Sequence, residues 1–233
     1  MEERWATFDC YGTLVDWTGG IRDTVSGLWP DRDAERLVGR YHEIEPEIQR
    51  GRGIPYREVM AESLERLARE ERLPPRHDDR DALARSLPGW RVFPEVPGAL
   101  ATLRSRGWRL AILSNTDPDL LAASIASIGV PVDERVVASE IGSYKPAFGH
   151  WDVFFRRTGA TRARHIHVAA SAFHDLEPCA ALGLPCVWIN RDRSTSDVPR
   201  AGELPDLSGL PDLLEGLVPP EDRPEDQPEN QGG

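Results

Sequence analysis

The strongest constraint in this chain is a unit that recurs: a short apolar run ends in polar residues and is followed by a stretch of helical composition. The runs are WATFD (5–9), RLAILSN (109–115), RVVAS (135–139), HIHVAAS (165–171) and CVWIN (186–190), and between them lie PGALATLRSRG, DPDLLAASIASIG, FGHWDVFFRRTG and DLEPCAALG. Continuously apolar strands are buried on both faces, and strands that alternate with helices pair in parallel. The expected fold class is α/β, a parallel sheet wrapped by helices.

Residues 18–90 break the rhythm. DAERLVGRYHEIEPEIQRG, YREVMAESLERLAREE and DDRDALARSLPGW place apolar residues three and four apart among Glu, Arg, Leu and Ala, and none contains a strand-like run. The stretch reads as a helical insert between the first strand and the rest of the sheet, with PGWRVFPEVPG as its return linker. At 233 residues the chain has room for one large domain, or for a core and a smaller inserted unit. The expected division is a core of 1–17 and 91–217, an insert of 18–90 and a tail of 218–233. That tail, VPPEDRPEDQPENQGG, has no periodicity and is rich in Pro, Glu, Asp and Gln, so disorder is expected there.

A net charge of −11 opposes a phosphate backbone over most of the surface, and no basic stripe is interleaved with aromatics. Nucleic acid is not expected as a partner. The N-terminal MEERWATFDCYGTL lacks the basic region and long apolar run of a secretory signal, and no window approaches roughly 18 consecutive apolar residues. A soluble, cytoplasmic protein with no membrane partner is the expectation. Cys10, Cys179 and Cys186 are odd in number and are not spaced like a zinc site, so they read as small buried residues.

In an open parallel sheet, ligands bind beyond the carboxyl ends of the strands. Polar residues arrive there from four places: Asp9 with Tyr11 and Thr13, Ser114 with Asn115 and Thr116, Lys145, and Ser171 with Asp175. Any one alone reads as a helix cap, an Asx-turn or a solvated charge. Together they make a candidate site. Lys145 carries a second signal, because among 28 basic side chains it is the only lysine. An ammonium is a compact charge on a flexible stem, whereas a guanidinium is larger and planar. Codon bias that spared one lysine by chance is the alternative.

FDCYGTLVDW, LAILSNTD, SYKPA and HVAASAFHDLEPCAALGLPCVWINR resemble, in order, the four motifs of the haloacid dehalogenase superfamily, and specifically its type II 2-haloacid dehalogenase branch. The resemblance covers about residues 5–195. It implies a Rossmann-like core with a helical cap inserted after the first strand. It also implies a hydrolase that needs no cofactor and displaces halide from a short 2-haloalkanoic acid, a small-molecule carboxylic acid, to give a 2-hydroxy acid. Asp9 would attack C2 in line with the carbon–halogen bond, inverting it, and water would hydrolyse the resulting aspartyl ester. Lys145 would offset the crowded negative charge, Thr13 would orient Asp9, and Asp175 would hold Lys145 or the hydrolytic water. Ser114 and Asn115 would bind the substrate carboxylate. Arg40, with Arg50 and Arg52 behind it, would cradle the halide; a solvated helix face is the other reading of Arg40. Tyr11 and Trp151 would wall an aromatic pocket, with Ser171 as a further hydrogen-bonding group. A homodimer through the cap and neighbouring core is compatible with the apolar GLWP (27–30), and ordinary core packing explains that motif as well.

The resemblance separates two reactions. Phosphatases of the superfamily resemble D-x-D at the first motif, where the second Asp protonates the leaving group; here that place is Tyr11, a poor general acid at neutral pH. They also carry an acidic residue after the Val of the fourth motif that helps to hold Mg²⁺. Here Val168 is followed by Ala169 and Ala170, which do not ligate a hard cation, so no metal is expected. Two departures from the dehalogenase branch remain. Ala169 and Ser171 stand where the branch resembles S-x-N, and Trp151 stands where it tends to carry tyrosine. His174 would handle protons near its usual pKa of about 6.5 or cap the helix that follows. The readings left open beside the dehalogenase are a Mg²⁺-dependent phosphatase using Asp9 and Asp175, and a non-catalytic binding protein.

Overall fold

The computed structural model describes residues 2–74 and 79–220. β1 (Arg4–Phe8) is followed by a run of helices, α1 (Trp17–Leu28), α2 (Ala34–Gln49), α3 (Tyr56–Glu70) and α4 (Ala82–Ser86), before α5 (Val96–Ser105) leads into β2 (Trp108–Ser114). Then come α6 (Pro118–Ile128), β3 (Glu134–Val137), α7 (Ala138–Ile141), α8 (Gly149–Thr158), β4 (His165–Ala169), α9 (Glu177–Leu182), β5 (Cys186–Ile189), β6 (Gly202–Leu204) and α10 (Leu210–Leu217). The six strands make one parallel sheet in the order β3-β2-β1-β4-β5-β6. The chain builds outward from β1 on one side and then crosses to β4 on the other, so a crevice opens at the carboxyl ends of β1 and β4.

The expected α/β sheet and its helical insert are both present. Strand ends fall one or two residues early, so Asp9, Asn115, Ser171 and Asn190 lie just beyond the strands instead of within them. β3 stops at Val137 because the chain already turns as α7, which Gly142 closes at φ 64°. No apolar run announces β6, a three-residue edge strand whose residues are only partly buried or exposed.

Helix α2 shows why the insert folds onto the core. Asp33 caps it by accepting the Arg36 N–H at 3.2 Å, and Leu37, Val38, Tyr41 and Ile44 bury one face at helical spacing. Gly20 of α1 lets the linker indole of Trp90 lie on the helix backbone; a Cβ there would sit 2.3 Å from the ring. Trp29 of GLWP is buried in this same core and Leu28 packs against it partly buried, whereas Pro30 is exposed. Val218 also packs in the core, so the chain stays ordered past the expected start of the tail, and residues 221–233 lie outside the described residues. No described helix is long and apolar enough to cross a membrane.

Side chains alternate across a strand, which gives the sheet two distinct faces. Ala6 and Phe8 of β1, with Ile166 and Val168 of β4, join the core shared with the insert. Trp5 and Thr7, with His165 and His167, take the opposite face under α8, where Phe154 covers Trp5 and His165, and Trp151 covers His167.

Candidate active site

Asp9 is the first residue beyond β1, and its N–H still donates to Val168 O at 3.0 Å. Gly12, at φ 90°, turns the chain sharply, and the Leu14 and Val15 N–H groups donate back to Cys10 O at 2.7 and 3.0 Å. This curl returns Thr13 to Asp9. The Thr13 hydroxyl donates to Asp9 Oδ2 at 2.9 Å and accepts from the Ala170 N–H at 2.9 Å, so one side chain ties the loops after β1 and β4 together. Arg191 braces the same turn by donating to Thr13 O at 2.8 Å and to Glu95 at 2.7 Å.

Lys145 is 2% exposed, and its Nζ reaches three acceptors: Asp9 Oδ1 at 2.9 Å, Leu113 O at 2.9 Å and Asp175 Oδ1 at 2.7 Å. An ammonium has three N–H donors, so each is used. Burial opposes the charge, and the Asp175 and Asp9 carboxylates overcome it, holding the lysine pKa above its ordinary value. Asp175 is the mirror case. Burial opposes its charge too, and Lys145 and His167 hold its carboxyl well below the usual carboxylate range. Its Oδ1 also receives His167 Nε2 at 2.9 Å, while its Oδ2 is buried with no partner.

Asn115 fixes Lys145 by its backbone. The Asn115 amide accepts the Lys145 N–H at 2.7 Å and donates to Lys145 O at 3.0 Å. One hydrogen bond at each end of that amide holds the loop, and Asn115 also lines the cavity with its second Nδ2 hydrogen still available. Ser114 Oγ is different: it is buried, makes no hydrogen bond and lines the cavity.

The cavity above these groups has a volume of about 500 Å³. Its floor is Asp9, Ser114, Lys145, Ser171, His174 and Asp175, and its roof is His42, Glu45, Pro46 and Gln49 of α2 with Trp17 and Arg22 of α1. His42 stacks on Trp17 with ring centroids 4.4 Å apart. Glu45 accepts from the Tyr56 hydroxyl at 2.7 Å, which itself accepts from Trp17 Nε1 at 3.2 Å. Burial pushes the Glu45 carboxyl up to about 7.

Three expected contacts are not made. Arg40 lies two positions before His42, about 200° around the helix. It faces outward and pairs with Glu43 and Glu70, so it does not line the cavity. Arg50 and Arg52 border an adjoining cavity of about 390 Å³, and Arg52 is paired with Glu62. Trp151 is buried beneath the sheet, edge-on to His167 at 5.3 Å, because α8 turns that face toward the strands.

Tyr11 does line the cavity, but its hydroxyl shares a hydrogen bond with Ser124 at 3.1 Å and burial raises the phenol above its ordinary pKa. It is no proton donor to a leaving group. Ser171 accepts the His174 N–H at 3.1 Å and caps a wide turn over Ala172–Leu176. Burial lowers the His174 pKa, which favours a neutral imidazole. Sequence reasoning passed over His42, Glu45 and Gln49, whose i, i+3, i+7 spacing was available in the sequence. It also passed over His167, which hides inside an apolar strand.

Magnesium does not fit this donor set. The Lys145 ammonium already stands between Asp9 and Asp175, Ala169 and Ala170 bring no side-chain oxygen, and among the described residues no three His, Cys, Asp or Glu side chains are grouped to hold a cation.

Known proteins share the sequence and the fold of this chain. A family model described as haloacid dehalogenase-like hydrolase matches residues 4–183. The (S)-2-haloacid dehalogenase 2 of Pseudomonas sp. (strain CBS-3) is 28% identical over 221 residues, 91% of this chain and 95% of that protein. The haloacetate dehalogenase H-2 of Moraxella sp. (strain B) is 27% identical over 207 residues, 86% of this chain and 91% of that protein. A solved structure of the L-2-haloacid dehalogenase from Xanthobacter autotrophicus, with chloropropionic acid covalently bound, superposes with a TM-score of 0.79 at 21% identity, covering 92% of this chain and 99% of that one. That likeness establishes a shared fold. With a family model spanning most of the chain and the fold in agreement, this protein belongs to the haloacid dehalogenase-like hydrolases.

Proposed function

We propose that this chain is a metal-independent 2-haloacid dehalogenase, with Asp9 as nucleophile and the helical insert as the cap over its site. One observation carries the reading: the Asp9 carboxylate is gripped by Lys145 and Thr13 at the cavity floor, with a second carboxylate, Asp175, on the same ammonium. The names of the curated relatives, which specify (S)-2-haloacids and haloacetate, support the substrate class.

Each Asp9 oxygen accepts one hydrogen bond and keeps a second lone pair. In the first step that pair attacks C2 of the acid, the carbon–halogen bond breaks with inversion, and halide leaves with the bonding electrons. In the second step water adds to the Asp9 carbonyl carbon and gives a proton to Asp175 Oδ2. The bond from that carbon to the ester oxygen then breaks, the leaving oxygen takes the proton from Asp175 to become the hydroxyl of the 2-hydroxy acid, and Asp9 releases the second proton of water and is restored as a carboxylate. The balance is haloacid and water in, hydroxy acid, halide and one proton out. The unpartnered hydroxyl of Ser114, a residue that lines the cavity, supports a role for it as donor to the substrate carboxylate. Three buried, unpaired cysteines suit a reducing compartment, which supports a cytoplasmic location.

The test is halide release from 2-chloro, 2-bromo and 2-fluoro short-chain acids in EDTA. Release that survives the chelator and disappears in Asp9→Asn is the expected result. Release from none of the acids contradicts the proposal.

A further inference from the structure

On the face of the sheet that α8 covers, three buried polar side chains that take no direct part in the reaction, His165, Thr7 and His167, run in a chain to Asp175. His165 Nε2 lies 2.8 Å from Thr7 Oγ1, Thr7 Oγ1 lies 2.7 Å from His167 Nδ1, and His167 Nε2 lies 2.9 Å from Asp175 Oδ1. All four residues are 0% exposed. Strand alternation puts Thr7, His165 and His167 on one face, and the Trp151 ring closes it from below.

The direction of each hydrogen bond follows from the inventory of donors. Asp175 is ionised and only accepts, so His167 Nε2 carries a hydrogen. If Nδ1 accepts, the Thr7 hydroxyl donates to it and receives the hydrogen of His165 Nε2. His165 Nδ1, which has no partner, is then a bare lone pair. The opposite order would make that same Nδ1 a buried N–H with no acceptor and would place an imidazolium beside Lys145. An unmet buried donor is the costlier arrangement.

Asp175 Oδ1 therefore accepts twice, from Lys145 and from His167, and both its lone pairs are filled. Its Oδ2 is buried and accepts nothing, and Asp175 is among the residues that line the cavity. Lys145 alone would leave the carboxylate free to swivel about one contact. Two donors from different directions, one through the sheet, remove that freedom.

We propose that His167 is a positioning residue for ester hydrolysis: from beneath the sheet it pins one Asp175 oxygen so that the other stays turned to the water that attacks Asp9. This rests on the dehalogenase reading, in which hydrolysis follows displacement. Thr7 and His165 act one shell further out by fixing the tautomer that makes Nε2 the donor.

The experiment separates the two half-reactions in His167→Phe, which preserves the ring packed on Trp151, and in His167→Gln, whose amide restores a donor. Rapid-quench halide release reports displacement, and intact mass reports the Asp9 ester. For His167→Phe we expect the first halide burst to stay within about 3-fold of wild type while ester hydrolysis slows by about 100-fold and the alkylated enzyme accumulates. His167→Gln is expected to recover at least about 10-fold of that loss. Equal slowing of both steps, or no slowing of either in a folded variant, overturns the proposal. Should His167→Phe fail to fold, Thr7→Val, which removes the tautomer-fixing hydroxyl, must show the same selective slowing in milder form.

A wild-type enzyme that releases no halide from any acid sinks the dehalogenase reading by itself. The positional claim is then decided by NMR. Nitrogen-15 spectra must show His167 protonated at Nε2, and the Asp175 carboxyl must titrate at higher pH in His167→Phe than in wild type. An unchanged Asp175 titration refutes it, because a side chain that only fills space would leave that titration where it was.

Discussion

Lys145 Nζ and Asp9 Oδ1 meet at 2.9 Å inside the protein, and the same nitrogen reaches Asp175 Oδ1 at 2.7 Å. A single ammonium thus answers both carboxylates of the site and a main-chain carbonyl. The guanidinium of Lys145→Arg would bring five N–H groups in a plane to three acceptors that converge on a point. We predict that this variant folds but loses about 100-fold or more in kcat, as a misplaced nucleophile does. Lys145→Met leaves two carboxylates buried together and should lower stability by roughly 3–5 kcal/mol, read by urea denaturation.

Asn115 acts at one remove, holding the Lys145 backbone through both ends of its amide. Asn115→Ala should lower kcat with little change in KM, because the loss falls on lysine placement. A large rise in KM at constant kcat would instead return Asn115 to the substrate carboxylate.

Ser114 and Arg40 make a contrasting pair. The Ser114 hydroxyl is unpartnered on the cavity wall, so Ser114→Ala should raise KM several-fold, about 1 kcal/mol of binding. Arg40 is paired with glutamates on the outer surface, and Arg40→Ala should leave halide release within about 2-fold of wild type, as a surface ion pair is worth little. Abolished activity in Arg40→Ala would mean that α2 rotates or closes during catalysis.

Glu45 gives a pH signature. Its carboxyl titrates at about 7 in the folded protein against 4.5 ordinarily, so below pH 4.5 it is protonated whether folded or not and contributes no pH dependence. As pH rises from 4.5 to 7 the unfolded chain releases the proton first, and the folded state loses stability relative to it. Above 7 the loss is complete. Glu45→Gln removes it, so the variant should match wild type near pH 4 and exceed it at pH 8 by on the order of 2–3 kcal/mol. The low Asp175 pKa has the opposite sign, adding stability above the ordinary carboxylate range that fades only in strong acid, and it is common to both proteins. Parallel melting curves across that range would contradict the assignment.

The meeting of Asp9, Ser114, Lys145 and Asp175 was legible in the sequence because strand ends of a parallel sheet converge whatever the loops do. The side-chain directions were not. Arg40 and His42 stand two residues apart in one helix, and only packing against the core decides which faces the cavity. Trp151 lies six residues from Lys145, yet α8 aims it under the sheet, where a large apolar ring is best buried. His167 sits between two buried apolar residues of β4 and reads as part of an ordinary strand; its link to Asp175 exists only because the chain folds back through a wide turn. Edge strand β6 left no signal at all, since its partly exposed residues need no apolar run.

The central claim is that Asp9 is alkylated and that water then attacks its own carboxyl carbon. A single turnover in ¹⁸O-labelled water, with enzyme in excess over a 2-haloacid, tests it most directly by mass spectrometry of the peptide that contains Asp9 and of the product. One solvent oxygen is expected in the Asp9 carboxylate, with an unlabelled hydroxy acid. Label in the hydroxyl of the product, with Asp9 unlabelled, would mean that water attacks the substrate directly, and would contradict that claim.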